Sequence, residues 1–279
     1  MKDLSSLAGI PVRLDPEDLH IAFGAEVRDP LYGTRSAEQM RRVLLDPDCE
    51  LPEIIYWMMR DLGLKSLPDF KHTAHLRYDI SVFRGCNFGR EFMKTSGHYH
   101  PYKPHSAVSW PEVYEVLEGT ALYVLQKVND INLGPCCVEV QDAIIVEGNP
   151  GDKVIMPPNY GHVTINTRPG PLVMDNWVSS DFSSVYGKVE EARGFAYYLL
   201  HGDGQPRWVR NPLYEQPLPP LRKAVVREVP ELGLTRDVPV FVSGARDPGK
   251  LQWLNNPEVF DELIWQGLEI VGEVQVEEL

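Results

Sequence analysis

The chain has 279 residues, 43% of them hydrophobic, and a formal net charge of −13. That length allows one large domain or two modest ones, and the apolar content is enough for a real core, which argues against global disorder. The acidic balance has no basic block to offset it, so nucleic acid is excluded as a partner bound through phosphate neutralisation, while a small anionic ligand at a locally positive site is not.

No window approaches the ~18 uninterrupted apolar residues of a membrane helix, so no membrane partner is expected. Met1-Lys2-Asp3-Leu4 carries an acid at once and no apolar run comes after it, which is not the pattern of a secretory signal. The four cysteines are Cys49, Cys86, Cys136 and Cys137. Their irregular spacing, with one adjacent pair, reads as reduced thiols in a cytoplasmic protein, and the lack of C-x-x-C argues against a cysteine zinc site.

Three textures succeed one another: residues 1–70, 71–200 and 201–279. The first is expected to be helical and irregular and to pack on the second. Ser36 is placed to cap a helix carrying Met40, Val43 and Leu44, which ends before Asp46-Pro47. Pro52 then opens a second expected helix, with Ile54, Ile55, Trp57, Met58 and Leu62 near one face and Gly63 to end it.

The second texture is β. Leu76, Tyr78, Ile80 and Val82 alternate with mostly polar neighbours. Val113 to Gln126 reads as two strands broken at Glu118-Gly119. Further runs lie at Val138 to Val146, Val154 to Met156, His162 to Asn166 and Leu172 to Val178. Turn residues separate them every ~8–12 residues, the rhythm of sandwiches and barrels. A helix at Val189 to Arg193 and a strand at Phe195 to Leu200 close the region. The third texture begins with a proline-rich run, Pro212 to Pro220, which cannot donate ladder hydrogen bonds and is expected to lie extended on the surface. A helix at Pro257 to Gln266 and a strand at Leu268 to Val276 end the chain.

His98 and His100 are two residues apart, so on a strand both imidazoles enter the same side. Glu112 begins the next strand-like run and reaches the same cavity if Pro101 to Pro111 forms an external loop. His162 starts a strand after the turn Pro157 to Gly161. Three imidazoles and one carboxylate suit a borderline divalent ion, with Fe, Mn, Zn and Ni all chemically admissible. Taken singly, each has an ordinary reading: a lone histidine after a turn is a surface or hydrogen-bonded residue, and a carboxylate at a strand start is usually solvated. His105 reads as exposed in its loop. The order changes the balance: His-x-His, a later Glu before a β-run ending at Gly119, then Gly151-x5-Pro157 and His162-x3-Asn166.

That ordered set resembles the two cupin motifs and implies a mainly β fold, a double-stranded β-helix (jelly-roll) barrel with the metal inside, carrying N-terminal helices and a C-terminal extension. Two departures are visible. The gap from His100 to Glu112 is longer than cupins usually have, and Asn159 stands where glycine is usual, an exchange that left-handed backbone tolerates. Within the cupins, "RYDISVF", "EFMKTSGHYH", "EVYEVLEGTALYVLQ", "VIMPPNYGHVTIN" and "VYGKVEEARGF" are similar to the cupin-type (archaeal-type) glucose-6-phosphate isomerase family over residues 73–212.

The resemblance implies an enzyme interconverting glucose 6-phosphate and fructose 6-phosphate. It implies one divalent metal per chain held by His98, His100, Glu112 and His162. Glu112 and Tyr114 would be catalytic, Glu112 as the base and Tyr114 at the sugar oxygens near C1 and C2. Ser81, Thr95, Gly97 and Tyr186 would bind the substrate and its phosphate. Ser81 stands where the family commonly shows threonine and keeps the hydroxyl. Ser184 stands where the family often has a histidine, and a serine does not shuttle protons at neutral pH. Two other functions use the same ligand set: a cupin oxygenase, and a sugar-phosphate-binding cupin without catalysis. The terminal segments are expected to cover the barrel's outer sheets or to build a homodimer interface.

Overall fold

The computed structural model describes residues 1–202 and 205–279. Three short strands, β1 (Lys2–Asp3), β2 (Val12–Leu14) and β3 (Ile21–Phe23), form a small antiparallel sheet, with the single-turn helix α1 (Ser5–Ala8) between the first two. β4 (Leu31–Ser36) runs into the short helix α2 (Ala37–Arg41), and β5 (Ile54–Arg60) returns antiparallel to β4. After α3 (Phe70–Thr73) come β6 (Leu76–Phe83), β7 (Asn87–Phe88), β8 (Glu91–Lys94), β9 (Glu112–Glu118) and β10 (Ala121–Val128). Next are β11 (Val140–Gly148), β12 (Lys153–Met156), β13 (Tyr160–Asn166) and β14 (Leu172–Ser179), then α4 (Gly187–Glu191) and β15 (Tyr197–Leu200). The last stretch holds β16 (Arg207–Arg210), β17 (Leu221–Val226), α5 (Val240–Arg246), α6 (Pro257–Gln266), β18 (Leu268–Glu273) and β19 (Val276–Glu277).

Two sheets build the jelly-roll barrel that the motifs imply. One has the order β12-β9-β14-β6-β5-β4; the other runs β18-β17-β11-β10-β13-β8-β15-β16-β19, with β7 beside β8. Val116, Tyr123, Leu125, Val154 and Met174 from the two sheets share one buried core between them. The outer face of the six-stranded sheet is buried as well: Tyr78, Val113 and Trp177 pack in a second core with Leu14 from the N-terminal sheet and Phe241 from α5. Trp177 is fully buried, stacks on Phe241 at 6.0 Å and donates from Nε1 to Val240 O at 3.0 Å. Truncating an aromatic in such a place costs about 3–5 kcal/mol, so the C-terminal extension is fastened by the barrel's own back face.

Residues 1–70 differ from the expected helical segment. Two short helices are present, and α2 is capped by Ser36 in a full capping box with Gln39. The stretch after Pro52, however, is strand β5, paired with β4 on one side and β6 on the other. Its run Ile54-Ile55-Tyr56-Trp57 favours a pleated surface, and an apolar run this short satisfies helical and strand spacing alike. The flanking strands decide between them. The N-terminal segment thus extends the barrel sheet by two strands as well as packing on it.

Left-handed backbone shapes two turns of the barrel named by the motifs. Gly119 turns β9 into β10 at φ 81°, where a Cβ would lie 2.7 Å from Pro171 O. Asn159 holds the predicted turn before His162 at φ 68°. The proline-rich run 212–220 has no strand or helix, and α6 covers Pro257–Gln266 as the sequence indicates. Among the described residues no helix is long and apolar enough to cross a membrane.

Candidate metal and active site

The site is assembled from three neighbouring pieces of chain. His98 and His100 lie just beyond β8, and His98 is bridged to His162 on β13 through reciprocal backbone hydrogen bonds of 3.1 and 3.0 Å. Gly97, at φ 69°, makes the bend that brings the pair in. Glu112 opens β9 on the opposite sheet. One donor atom from each of His98, His100, Glu112 and His162 lies within 4.8 Å of the other three. Nε2 of His98 and Nε2 of His100 are 3.2 Å apart, and Glu112 Oε2 lies 3.4 Å from Nε2 of His100 and 3.2 Å from Nε2 of His162.

The long loop between His100 and Glu112 has a structural task. Ser109 N donates to Asn159 Oδ1 at 2.8 Å, and Asn159 N donates back to Ser109 Oγ at 2.6 Å. This reciprocal lock sets the Trp110 carbonyl 2.8 Å from His100 Nδ1. The Nδ1–H donates there, so the His100 lone pair sits on Nε2, facing the cluster. Lys103 ties the same loop to α6 through Glu258 at 2.7 Å.

The electrostatics point to a missing positive charge. His100, Glu112 and His162 are all under 5% exposed. Burial pushes His98 well below the ordinary imidazole value, and the other two histidines add to the shift, so His98 is neutral. Burial also lowers His162, against the pull of Glu112. For Glu112, burial acts to raise the carboxyl, but His100 and His162 outweigh it and hold the group far below its usual range. One of its oxygens is used: Oε1 accepts from Asn176 Nδ2 at 2.7 Å. The other, Oε2, is buried without a hydrogen-bond partner. A buried carboxylate oxygen left unpaired among inward-facing imidazole nitrogens is costly. These residues therefore fit a divalent cation, which would satisfy all four donors at once.

The cluster opens into a cavity of about 330 Å³. Ser81, Tyr114 and Tyr186 line it, as the sequence indicates. Tyr114 Oη is 3.4 Å from His162 Nε2, and burial together with the Glu112 charge raises its hydroxyl well above the phenolic range. The Tyr186 ring lies 5.3 Å from that of His98 and is covered by the Arg35 guanidinium at 5.0 Å. Phe182 roofs the cavity 4.4 Å from the His100 ring, and Ser184 lies in the same roof.

Thr95 and Gly97 are placed otherwise. Neither lines the cavity. Thr95 Oγ1 accepts from Thr164 N at 3.0 Å, fastening β8 to β13, and a Cβ on Gly97 would press on Val163 Cβ at 3.3 Å. Both residues shape the approach to His98. Sequence reasoning also passed over Asn176 and Arg60, which line the cavity. Asp175-Asn176, a polar pair inside an otherwise apolar strand, was a signal for the first. Arg60 had none once its segment was read as helix.

A barrel of two curled sheets with three histidines and a glutamate converging inside defines a cupin. A model of the glucose-6-phosphate isomerase (GPI) family matches residues 50–216, a segment that contains the whole His/Glu cluster. The chain belongs to that family. It is 30% identical over 140 residues to the glucose-6-phosphate isomerase of Pyrococcus abyssi, covering 50% of this chain and 65% of that protein. The Thermococcus kodakarensis enzyme of the same name is 28% identical over 141 residues, covering 50% and 66%. The match thus spans under two thirds of these relatives' own length. Among solved structures, recombinant oxalate oxidase in complex with glycolate is 14% identical, covering 42% of this chain and 49% of that one at a TM-score of 0.31, and no part of the assignment rests on it.

Proposed function

We propose that this chain is a metal-dependent glucose-6-phosphate isomerase, interconverting glucose 6-phosphate and fructose 6-phosphate. The observation that carries the reading is the convergence of His98, His100, Glu112 and His162 with one unpaired carboxylate oxygen, inside the segment that matches the family. His98, His100, Glu112 and His162 would hold Fe, Mn, Zn or Ni. When bound, such an ion supplies Lewis-acid polarisation of the sugar oxygens.

The chain's own groups do the rest. Aldose–ketose isomerisation moves hydrogen between C1 and C2. Glu112 is kept ionised and lines the cavity, so it can take a proton from the carbon beside the carbonyl and return it to the neighbour. The Tyr114 hydroxyl, two residues on and on the same strand face, donates to the oxygen where charge develops. Ser81 and Tyr186 border the space left for the rest of the sugar. The reading carries with it a cytoplasmic homodimer. Its test is a coupled assay for fructose 6-phosphate conversion on metal-stripped protein, with Fe, Mn, Zn and Ni added back separately. If none restores turnover above the stripped protein, the reading is wrong.

A further inference from the structure

Three contacts close a ring beside the His/Glu cluster. The loop between His100 and Glu112 meets the turn before β13 through the Ser109–Asn159 lock. The same loop meets α6 through Lys103, whose Nζ donates to Glu258 Oε2 at 2.7 Å and to Asn255 O at 2.8 Å. Ser106 Oγ adds a bond to Glu258 Oε1 at 3.3 Å. Helix α6 in turn meets the start of β13 through Trp265, which stands edge-on to Tyr160 at 5.5 Å. Glu258 and Trp265 are seven residues apart, about two turns of helix, so one face of α6 reaches both partners. The helix end is pressed close as well: a Cβ on Gly267 would lie 2.7 Å from Ile155 Cδ1 of β12.

Two sides of this ring lead to histidines of the cluster. Within the loop, Tyr102 bridges to Ser109 and Lys103 N donates to Val108 O at 2.9 Å, so residues 102–109 form a small hairpin with Trp110 at its base. Lys103 Nζ lies 5.3 Å from the centre of the Trp110 ring. The Trp110 carbonyl meets His100 Nδ1, and its ring stacks on Phe182 at 5.8 Å. On the other side, Tyr160 opens β13 two residues before His162, and its hydroxyl donates to Asp142 at 2.6 Å. Helix α6 lies outside residues 50–216, the segment that matches the family. Its hold on the loop is more than a solvated surface pair. The Lys103 side chain is only 15% exposed, and two fixed oxygens accept from it. Removing one partner then leaves a largely buried cation short of an acceptor, a larger loss than that of a fully solvated pair.

We propose that α6 is a brace for the candidate metal site. Lys103 and Glu258 are its positioning residues: they hold the loop so that the Trp110 carbonyl keeps His100 Nε2 turned toward the cluster. The proposal rests on the metal reading of the four ligands and is independent of which sugar is bound. Direct partners of a ligating histidine typically set about 10–100-fold in metal affinity. Glu258 acts further out, through the loop, so a smaller share of about 3- to 10-fold is expected of it.

Glu258→Gln keeps the shape of the side chain and removes its charge; Lys103→Met removes the cation. Val259→Ser, at a position of α6 that is 79% exposed, is the control. Each is made in the full chain and measured in two ways. The first is the Zn dissociation constant of metal-stripped protein, by competition with a chromophoric chelator. The second is amide hydrogen exchange without metal. Glu258→Gln and Lys103→Met are each expected to raise the Zn constant about 3- to 10-fold. Both should speed exchange in residues 101–111 and leave β10 and β11 as in the wild type. The double variant should lose no more than the weaker single, because both substitutions break one link. Val259→Ser should change neither quantity. If the Zn constant rises by less than about twofold, the brace is overturned and the metal reading stands, even where the loop exchanges faster. Faster exchange through β10 and β11 alike would make the pair a stabiliser of the whole fold and also overturns it. If the wild type binds no Zn, the metal reading falls and exchange alone decides. Unchanged protection of residues 101–111 in both single variants then overturns the brace, and faster exchange confined to them retains it.

Discussion

Asn176 Nδ2 donates to Glu112 Oε1 at 2.7 Å across the β14–β9 pair. That bond occupies one carboxylate oxygen and turns the other, Oε2, toward the histidines. Groups that orient a metal ligand in this way typically contribute a factor of about 10–100 in metal affinity. Asn176→Leu is therefore expected to raise the metal dissociation constant by about 10- to 100-fold while the fold persists. A competition titration with a chromophoric chelator reads it. An unchanged constant would mean that Glu112 is held in place by the strand alone.

His98→Ala combined with His162→Ala removes two of four donors, one from each side of the reciprocal backbone bridge. The backbone hydrogen bonds between the two positions do not depend on the side chains, so the barrel should survive. A ligand that binds only the folded state raises the unfolding midpoint. Added metal should therefore raise the Tm of the wild type and leave the double variant unmoved. Retention of a single ion per chain in the double variant would place the metal elsewhere.

Thr95→Val separates two accounts of one hydroxyl. Oγ1 accepts from Thr164 N at 3.0 Å, and Thr95 N donates to Thr164 O at 2.8 Å. Losing the first bond leaves a backbone N–H without its partner, at a cost of about 1–3 kcal/mol. The expected outcome is a lower midpoint in chemical denaturation with the KM for fructose 6-phosphate unchanged. A selective rise in KM for the phosphorylated sugar would place Thr95 in the phosphate site.

The His/Glu cluster was legible because its signal is local and periodic. His98 and His100 sit at strand spacing; Glu112 begins a strand, and His162 lies near the start of one, just after a turn that proline and asparagine mark. Ser36 and Gly119 were legible for the same reason: a cap and a tight turn each ask for one residue type at one place. What failed was what only pairing decides. Ile54, Ile55, Trp57 and Met58 suit a helix face as well as a strand, and β4 and β6, distant in sequence, settle the matter. That single misreading also concealed Arg60, since a residue at a helix end has no reason to face a barrel interior. Asn176 was hidden differently. Its role depends on standing across from β9, 64 residues earlier in the chain.

Behind the cavity face, the six-stranded sheet carries a second buried carboxyl, Glu115. Glu115 pairs in register with both Lys153 and Asp175, and its side chain meets Lys153 Nζ at 2.9 Å. Its Oε2 accepts from Val240 N at 2.6 Å, so the first turn of α5 is held by Glu115 through its N–H and by Trp177 through its carbonyl. Burial pushes the Glu115 carboxyl up to about 7, against the opposing pull of Lys153 and the Val240 N–H. Burial and then the Glu115 charge also push the neighbouring Asp175 well above the ordinary carboxyl range. The folded protein binds the Glu115 proton more tightly than the unfolded chain, whose value is near 4.5. The stabilisation is complete below that value and is lost as pH rises through about 7. Glu115→Gln keeps an acceptor for Val240 N and removes the titration. Measured on metal-stripped protein, the wild-type Tm should fall relative to Glu115→Gln between those two pH values and run parallel to it above them. Parallel curves throughout would show that Glu115 is ionised well below neutrality and that Lys153, not a bound proton, balances it beneath the strands that carry Glu112 and Asn176.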